Sequence, residues 1–457
     1  MNTFLKIISI LLLFNSVLFS QEKSELIKVV GDSLIGKTLN GESIREIYGN
    51  VILTQGNVVV TCDKAIQYIA RNDAILVGNV IAKQDSLTIT TDEGFYYGNR
   101  KVTKSNKGII LDDQKIILTA DSGEYYFDSD VAYFQSNVTL FDTLTTLFAD
   151  KLTYYRNDDR ALSIGHVKIV DDKNKISADT LDHFRKTKTS FADGHVKITS
   201  IENGTTILGN HLEDYPERKY TLIDENPVLI QLDSTYNKQN ELLVDTLLIS
   251  ANTMEAFRDT ANIFKATDSV KIVRGEFASV NDFTLYLRDN DLIVTNKISE
   301  DSAQPILWYG SSQLTGDSIN IFIENNKITE LDVFGNSFML SQSKLYPERF
   351  DQTSSTDIKI KFEDNKIQKA VFTGTVHSIY YIYDDNKPNG LSKSSAKDAT
   401  IVFENNEVSE VRLYESPTSE YYPEKQIVGN EKSFLLPKFK FFENRPAKEQ
   451  LLKLIWK

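Results

Sequence analysis

The chain lacks most of the features that would point to a catalytic or membrane-spanning protein. Of its 457 residues one is cysteine, Cys62, and five are histidine. A single cysteine excludes an internal disulfide, so an exported protein of this length must rely on an ordinary core or on stacked repeats. Cys62 therefore reads as a small packed residue rather than a nucleophile. There is no phosphate-cradling glycine loop, no HExxH and no GxSxG. Excess positive charge is missing too: the formal net charge is −13. That balance argues against nucleic acid, whose phosphates reward basic surfaces, and against broad adhesion to anionic membranes. Long apolar runs are absent beyond residue 20.

Before residue 20 there is one. A short polar start with a single cation, Lys6, leads into the apolar stretch Ile7–Phe19 and then Ser20. Its length suits the core of a signal peptide and is too short to span a bilayer comfortably. Residues 1–20 are read as a leader, 21–45 as a lead-in, and the mature chain as exported. No cysteine follows the apolar stretch to carry a lipid anchor.

What the sequence does have is a repeat. Gly49-Asn50-Val51 returns as Gly78-Asn79-Val80, Lys107-Gly108-Ile109, Ser136-Asn137-Val138, Gly165-His166-Val167 and Gly194-His195-Val196, each step being 29 residues. A second anchor keeps the same phase: an aspartate, then an aromatic five positions on. It reads Asp63/Tyr68, Asp92/Tyr97, Asp121/Tyr126, Asp150/Tyr155 and Asp179/Phe184. With looser spacing it continues as Asn210/Tyr215, Asn252/Phe257, Asn281/Tyr286, Asp317/Phe322, Asp357/Phe362 and Asp398/Phe403. This gives about eleven repeats, with 46–200 regular, 201–250 an irregular repeat or bend containing Pro216 and Pro227, 251–415 looser, and 416–457 a basic, aromatic tail.

Within a repeat the apolar residues alternate, as Val51 and Leu53 or Val138 and Leu140 do, which describes strands with one buried face. Asn, Asp and Gly cluster between the runs as turn residues do, and no sustained helical stripe is present. The fold class is all-β and repeat-built. Each unit is too small to fold alone, and stacked units bury a continuous interior.

The columns admit functional and structural readings. His166 and His195 replace Asn50 and Asn79 at a turn position, which favours a turn role over a metal site. The aspartate column could be a calcium ladder or a set of catalytic carboxylates. The glycine-rich nonapeptide of calcium β-rolls is missing, and capping of exposed backbone N–H groups is the simpler reading. The aromatic column is either plain core or the wall of an apolar channel, and sequence leaves both open. No catalytic residue, metal ligand or cofactor is assigned.

Leu118-Thr119-Ala120-Asp121-Ser122-Gly123-Glu124-Tyr125-Tyr126 and Phe148-Ala149-Asp150-Lys151-Leu152-Thr153-Tyr154-Tyr155, interleaved with the Gly-Asn-Val turns, resemble the repeats of the OstA-like (LptA-type) family of lipopolysaccharide-transport proteins. The resemblance covers 46–200 well and 201–415 more weakly. It implies an open β-jellyroll with an apolar groove, a periplasmic location with association to the outer membrane, and carriage of lipopolysaccharide by its lipid A acyl chains. It further implies edge-strand pairing with other transport components, including an outer-membrane translocon, and head-to-tail self-association. The groove candidates are Val58, Val60, Tyr68, Ile89, Tyr97, Ile109, Leu118, Tyr126, Val138, Leu140, Leu147, Tyr155, Ile169, Ile176 and Phe184. About eleven repeats exceed a simple bridge protein. The roughly 40 residues after the last repeat are too few for the translocon's barrel. Two other functions stay open: a structural or adhesive β-solenoid with a packed core, and a carbohydrate-active β-helix enzyme.

Overall fold

The computed structural model describes residues 25–202, 204–236, 242–260, 262–324, 327–363, 366–385, 387–404 and 407–455. The leader, Trp456, and the asparagine pairs Asn325-Asn326 and Asn405-Asn406, read as hairpin turns, lie outside the described residues. The chain is all-β with antiparallel pairing, and its helices are short, Glu424–Ile427 and Lys448–Leu452. It divides into two compact units, Met1–Gln114 with Ser122–Ser129, and Lys115–Asp121 with Asp130–Lys457.

In the first unit Glu42–Gln55, Val58–Tyr68, Asp73–Gln84 and Leu87–Tyr97 follow one another as hairpins. Each of these strands is bent midway, where the pairing register shifts, as between Tyr48 and Val51 or between Val77 and Val80. The bend gives every strand two halves, and the halves assemble into two half-sheets, here A and B. The A-sheet holds Val51–Gln55 and its neighbours; the B-sheet holds Ile44–Tyr48 and its neighbours. The 29-residue period is thus one hairpin of two bent strands with their turns.

The bend explains the Gly-Asn triplet. Gly49 and Asn50 have φ of 71° and 48°, Gly78 and Asn79 79° and 48°, and both pairs lie in the left-handed region. Glycine enters that region freely and asparagine tolerates it, so the pair forms a two-residue bulge that re-aims the strand. Ser136-Asn137, Gly165-His166 and Gly194-His195 take the same conformation.

The second unit repeats the design in Val131–Phe141, Thr146–Tyr155, Arg160–Val170, Asn174–Phe184 and Thr189–Ser200. Further along, the corner interrupts many strands outright, as between Tyr220–Asp224 and Val228–Tyr236 or between Leu242–Ser250 and Thr253–Phe257. Residues 201–250 carry strands of the same kind: Pro216 opens a 3-10 turn at a hairpin end, and Pro227 sits at a corner. One face of most half-strands is buried, and a cluster containing Ile249, Met254, Phe264, Ile272, Leu314, Ile360 and Phe372 joins residues of both half-sheets into one interior.

The last strand, Thr418–Pro423, pairs with the A-sheet part of Lys387–Glu404. The residues after it, basic and aromatic, double back over the outer face of the A-sheet. Phe439 and Phe441 meet Phe350, Leu436 joins Phe338, Leu340 and Leu391, and Leu451 joins Leu248 and Trp308. Two buried glutamines hold this strap by its backbone. Gln313 donates to the Lys440 carbonyl and accepts from Phe442 N–H, both at 2.9 Å; Gln352 accepts from Leu436 N–H at 2.9 Å. The tail caps its own sheet.

Candidate functional site

The interior face of the A-sheet is a ladder of aliphatic residues in exact cross-strand register. In the first unit it runs Leu53–Val60–Ala82–Ile89–Leu111. In the second it runs Leu118–Leu140–Leu147–Ile169–Ile176–Ile198–Ile207–Leu229–Ile249–Ile272. Directly opposed side chains on neighbouring strands touch, so each rung continues the next at the strand spacing of about 4.8 Å. Farther on the same positions turn polar: Thr353, Ser378, Ser394 and Ser419 succeed Leu314 and Met339.

Seven of the groove candidates are rungs of these ladders: Val60, Ile89, Leu118, Leu140, Leu147, Ile169 and Ile176. Val58, Ile109 and Val138 are buried beside them. The other five are placed differently. Tyr68, Tyr97, Tyr126, Tyr155 and Phe184 lie half-buried on the outer face of the B-sheet, and the buried position is the preceding one, occupied by Gln67, Tyr96, Tyr125, Tyr154 and His183. Parity slips at the corner. Val58, Val60 and Cys62 face in, but the register shifts between Thr61 and Lys64, after which Ala65 and Gln67 face in. An alternation carried straight through that corner turns the wrong ring inward. Outside, arginines cover the rings: Arg71 lies 4.0 Å from the Tyr68 centroid, Arg100 4.6 Å from that of Tyr97, and Arg160 5.1 Å from that of Tyr155.

The aspartate column is the partner of the Gly-Asn bulge. Asn50 donates to Asp32 at 3.0 Å, Asn79 to Asp63 at 2.9 Å and Asn137 to Asp121 at 2.7 Å. His166 Nδ1 and His195 Nδ1 lie 2.7 Å from Asp150 and Asp179, so histidine does the work of asparagine there. The contact to Asp150 raises the pKa of His166. A Cβ on Gly78, Gly165 or Gly194 would collide with the same carboxylates. In this column the carboxylates take side-chain donors; capping of a backbone N–H is seen later, from Gly335 to Asp357 and from Gly374 to Asp398. Among the described residues no group of three His, Cys, Asp or Glu is placed to hold a metal. Cys62 is buried, and desolvation pushes its thiol up to about 11.

At the margin opposite the corners, contacts join the two half-sheets. In the first unit Tyr96 donates to Gln55 Oε1 at 2.7 Å and Gln55 donates to the Gly98 carbonyl at 2.9 Å, while Gln84 reaches the Phe127 carbonyl at 3.4 Å. The segment at Glu25–Ile27 lies across this knot: Ile27 N–H donates to Asn72, and Gln55 donates to the Glu25 carbonyl. In the second unit the contacts are charged. Lys115 pairs with Asp159 at 3.1 Å and Arg185 with Asp142 at 3.5 Å. Partial burial opposes ionisation of Asp142, but donation from Leu144 N–H, Thr145 N–H and Thr145 Oγ1, with the charge of Arg185, holds its pKa below the ordinary value. These margin residues carry no motif and were missed in the sequence. Their only signal is a polar residue at hairpin turns some 43 residues from its partner, at Gln55/Gly98, Gln84/Phe127 and Asp142/Arg185.

Comparison with known proteins adds a likeness over part of the chain. No curated protein matches the chain. Among solved structures it is similar to the crystal structure of LptH, the LptA homologous periplasmic component of the conserved lipopolysaccharide transport device from Pseudomonas aeruginosa. That likeness has 14% identity, covers 37% of this chain and 83% of LptH, and has a TM-score of 0.13. The sequence profile of the OstA-like protein family matches residues 23–179. Over residues 23–179, about a third of its length, the chain is similar to that family.

Proposed function

We propose that this chain is a non-enzymatic carrier of the lipopolysaccharide-transport apparatus, working in the periplasm and holding lipid acyl chains between its two half-sheets. The observation that carries this reading is the in-register aliphatic ladder. Its rungs from Leu118 to Ile272 are all aliphatic and evenly spaced, so a hydrocarbon chain lying along them meets an apolar side chain at every step. Each buried CH2 contributes about 0.8 kcal/mol. The OstA-like match over residues 23–179 supports the same reading, and the leader at residues 1–20 accords with export. Partners would meet edge strands. Ser33–Leu39 pairs with Glu42–Gln55 and has every residue exposed, and in the second unit Glu407–Tyr414 lies beside Lys387–Glu404. Such strands can extend a sheet into another copy or another transport component.

Photo-crosslinking side chains at Leu140 and Ile176, with Tyr155 as the outward control, test this in cells. Capture of lipopolysaccharide from the two interior positions and none from Tyr155 is expected. Crosslinks to protein alone would remove the proposal.

One observation favours a second reading, a structural solenoid with a filled core. Beyond Leu229 the interior is closed over by a continuous apolar cluster reaching Phe403. Lipid A added to the purified full chain and followed by native mass spectrometry separates the two, since a permanently filled interior takes up no lipid.

A further inference from the structure

The second unit holds a charged knot where a carrier would need an entrance. Arg185 lies at the end of Asn174–Phe184, on the B-sheet side, and its guanidinium is largely buried. Its Nε is 3.5 Å from Asp142 Oδ2, and Asp142 belongs to the A-sheet turn between Val131–Phe141 and Thr146–Tyr155. Nη2 donates to the carbonyl of Lys115, in the A-sheet turn before Ile117–Ala120, at 3.4 Å. Nη1 lies 3.6 Å from Asp159, which also receives Lys115 Nζ at 3.1 Å. One side chain therefore ties two successive A-sheet turns to the B-sheet margin. Donors from Leu144 and Thr145 fix the Asp142 carboxylate toward it.

Exposure along the ladder changes at this knot. Leu118, Leu140 and Leu147 are at most 2% exposed and Ile169 8%. The next rungs, Ile176, Ile198 and Ile207, are only half-buried, although they face the same interior in the same register. Ile201, in the turn beside them, is 48% exposed. Beyond, Leu229 and Ile249 are buried again. The interior is thus sealed on the Leu118–Leu147 side and within reach of solvent over three isoleucines.

We propose that Arg185 is the latch of a lateral gate. Its contacts with Asp142 and the Lys115 turn hold the margins together over the buried rungs. Their release lets an acyl chain of an amphipathic lipid, seated first on Ile176, Ile198 and Ile207, pass onto Ile169 and Leu147. The occupant is a hydrocarbon chain because the exposed rungs are purely aliphatic and continue in register into the buried ladder. A chain sliding inward exchanges water for CH2 contact at each rung. An arginine suits a latch because its planar fork meets several acceptors at once, and because breaking the contacts returns every charge to water. This assignment rests on the carrier reading above and supplies its point of control.

The test uses the full chain with lipid A as the probe and native mass spectrometry as a time-resolved readout of uptake. Asp142→Cys with Arg185→Cys, bridged by a short bis-maleimide, locks the margin; buried Cys62 is replaced by alanine in all proteins compared. Arg185→Gln releases it. The expected result is uptake slowed roughly tenfold by the bridge and quickened several-fold in R185Q, the shift in open population setting the rate. Circular dichroism of both proteins keeps a folding defect from passing as a gating effect. Uptake unchanged in both, while the unaltered protein loads, overturns the latch and leaves the carrier intact. Lipid A failing to enter any of them, R185Q included, overturns the carrier and the latch with it.

Discussion

Tyr154 and Tyr155 sit side by side in sequence and on opposite faces of one sheet. Tyr154 is fully buried against the interior, whereas Tyr155 lies outside under the Arg160 guanidinium, which also pairs with Asp182 at 2.7 Å. Truncating the inner ring leaves a cavity, and truncating the outer one removes only a surface contact. Tyr154→Ala should cost about 3–5 kcal/mol and Tyr155→Ala about 1 kcal/mol or less. Urea denaturation of the two variants measures the difference, and equal costs would contradict the assignment of faces. The aspartate at Asp351 offers a second contrast. Desolvation pushes its carboxyl up to about 7, opposed only by donation from Tyr381 N–H. Below the ordinary carboxylate pKa both folded and unfolded chains hold the proton and nothing is lost. As pH rises toward 7 the unfolded chain ionises first, so this residue's contribution falls and then levels off. Asp351→Asn should leave the melting temperature unchanged near pH 4 and raise it near pH 8, which scanning calorimetry at the two pH values can check.

At the scale of the element, the bent strand depends on its corner. A methyl group on Gly165, whose φ is 79°, would strain the backbone and strike the Asp150 carboxylate. Gly165→Ala should destabilise by about 1–2 kcal/mol, while Asp150→Ala, which frees only an exposed His166, should cost about 0.5 kcal/mol. The double variant should fall short of the sum, because the colliding carboxylate is gone, and a double-mutant cycle in urea reads that coupling. The corner also decides how much of the site was legible in the sequence. Alternation on the A-sheet side picked Leu118, Leu140, Leu147, Ile169 and Ile176, which prove to be consecutive rungs. Past the corner the aspartate-to-aromatic offset marked Tyr126 and Tyr155, whereas Tyr125 and Tyr154 face inward: that offset fixes the phase of the repeat along the chain but not which face of the sheet a ring takes. The Asp and Gly-Asn columns were visible as separate periodicities, but their mutual contact needed the strand pairing. Arg185 and Asp142 carried no signal beyond their 43-residue spacing, because their turns become neighbours only when two half-sheets close.

For the molecule as a whole, hairpins that bond mainly to their neighbours give stability that adds hairpin by hairpin. Excising residues 160–188, one complete period of 29, should leave a folded chain, because flanking corners and ladder keep their phase. Removing Val167 alone should do more damage, since a one-residue slip sends every following side chain of that strand half to the wrong face. Circular dichroism, solubility and proteolysis of the two deletions compare them. The strap is the counterpart of this modularity: it binds several successive A-sheet strands through Gln313, Gln352 and its phenylalanines, so hairpins beneath it are not interchangeable in the same way.

The matched corners turn the period into a ruler. Asp63, Asp121, Asp150 and Asp179 each meet a bulge on the neighbouring strand, so duplication or loss of whole hairpins preserves that geometry while other insertions break it. Length within a unit can therefore be inherited in quanta of two strands, about 10 Å apiece, without redesigning a single contact.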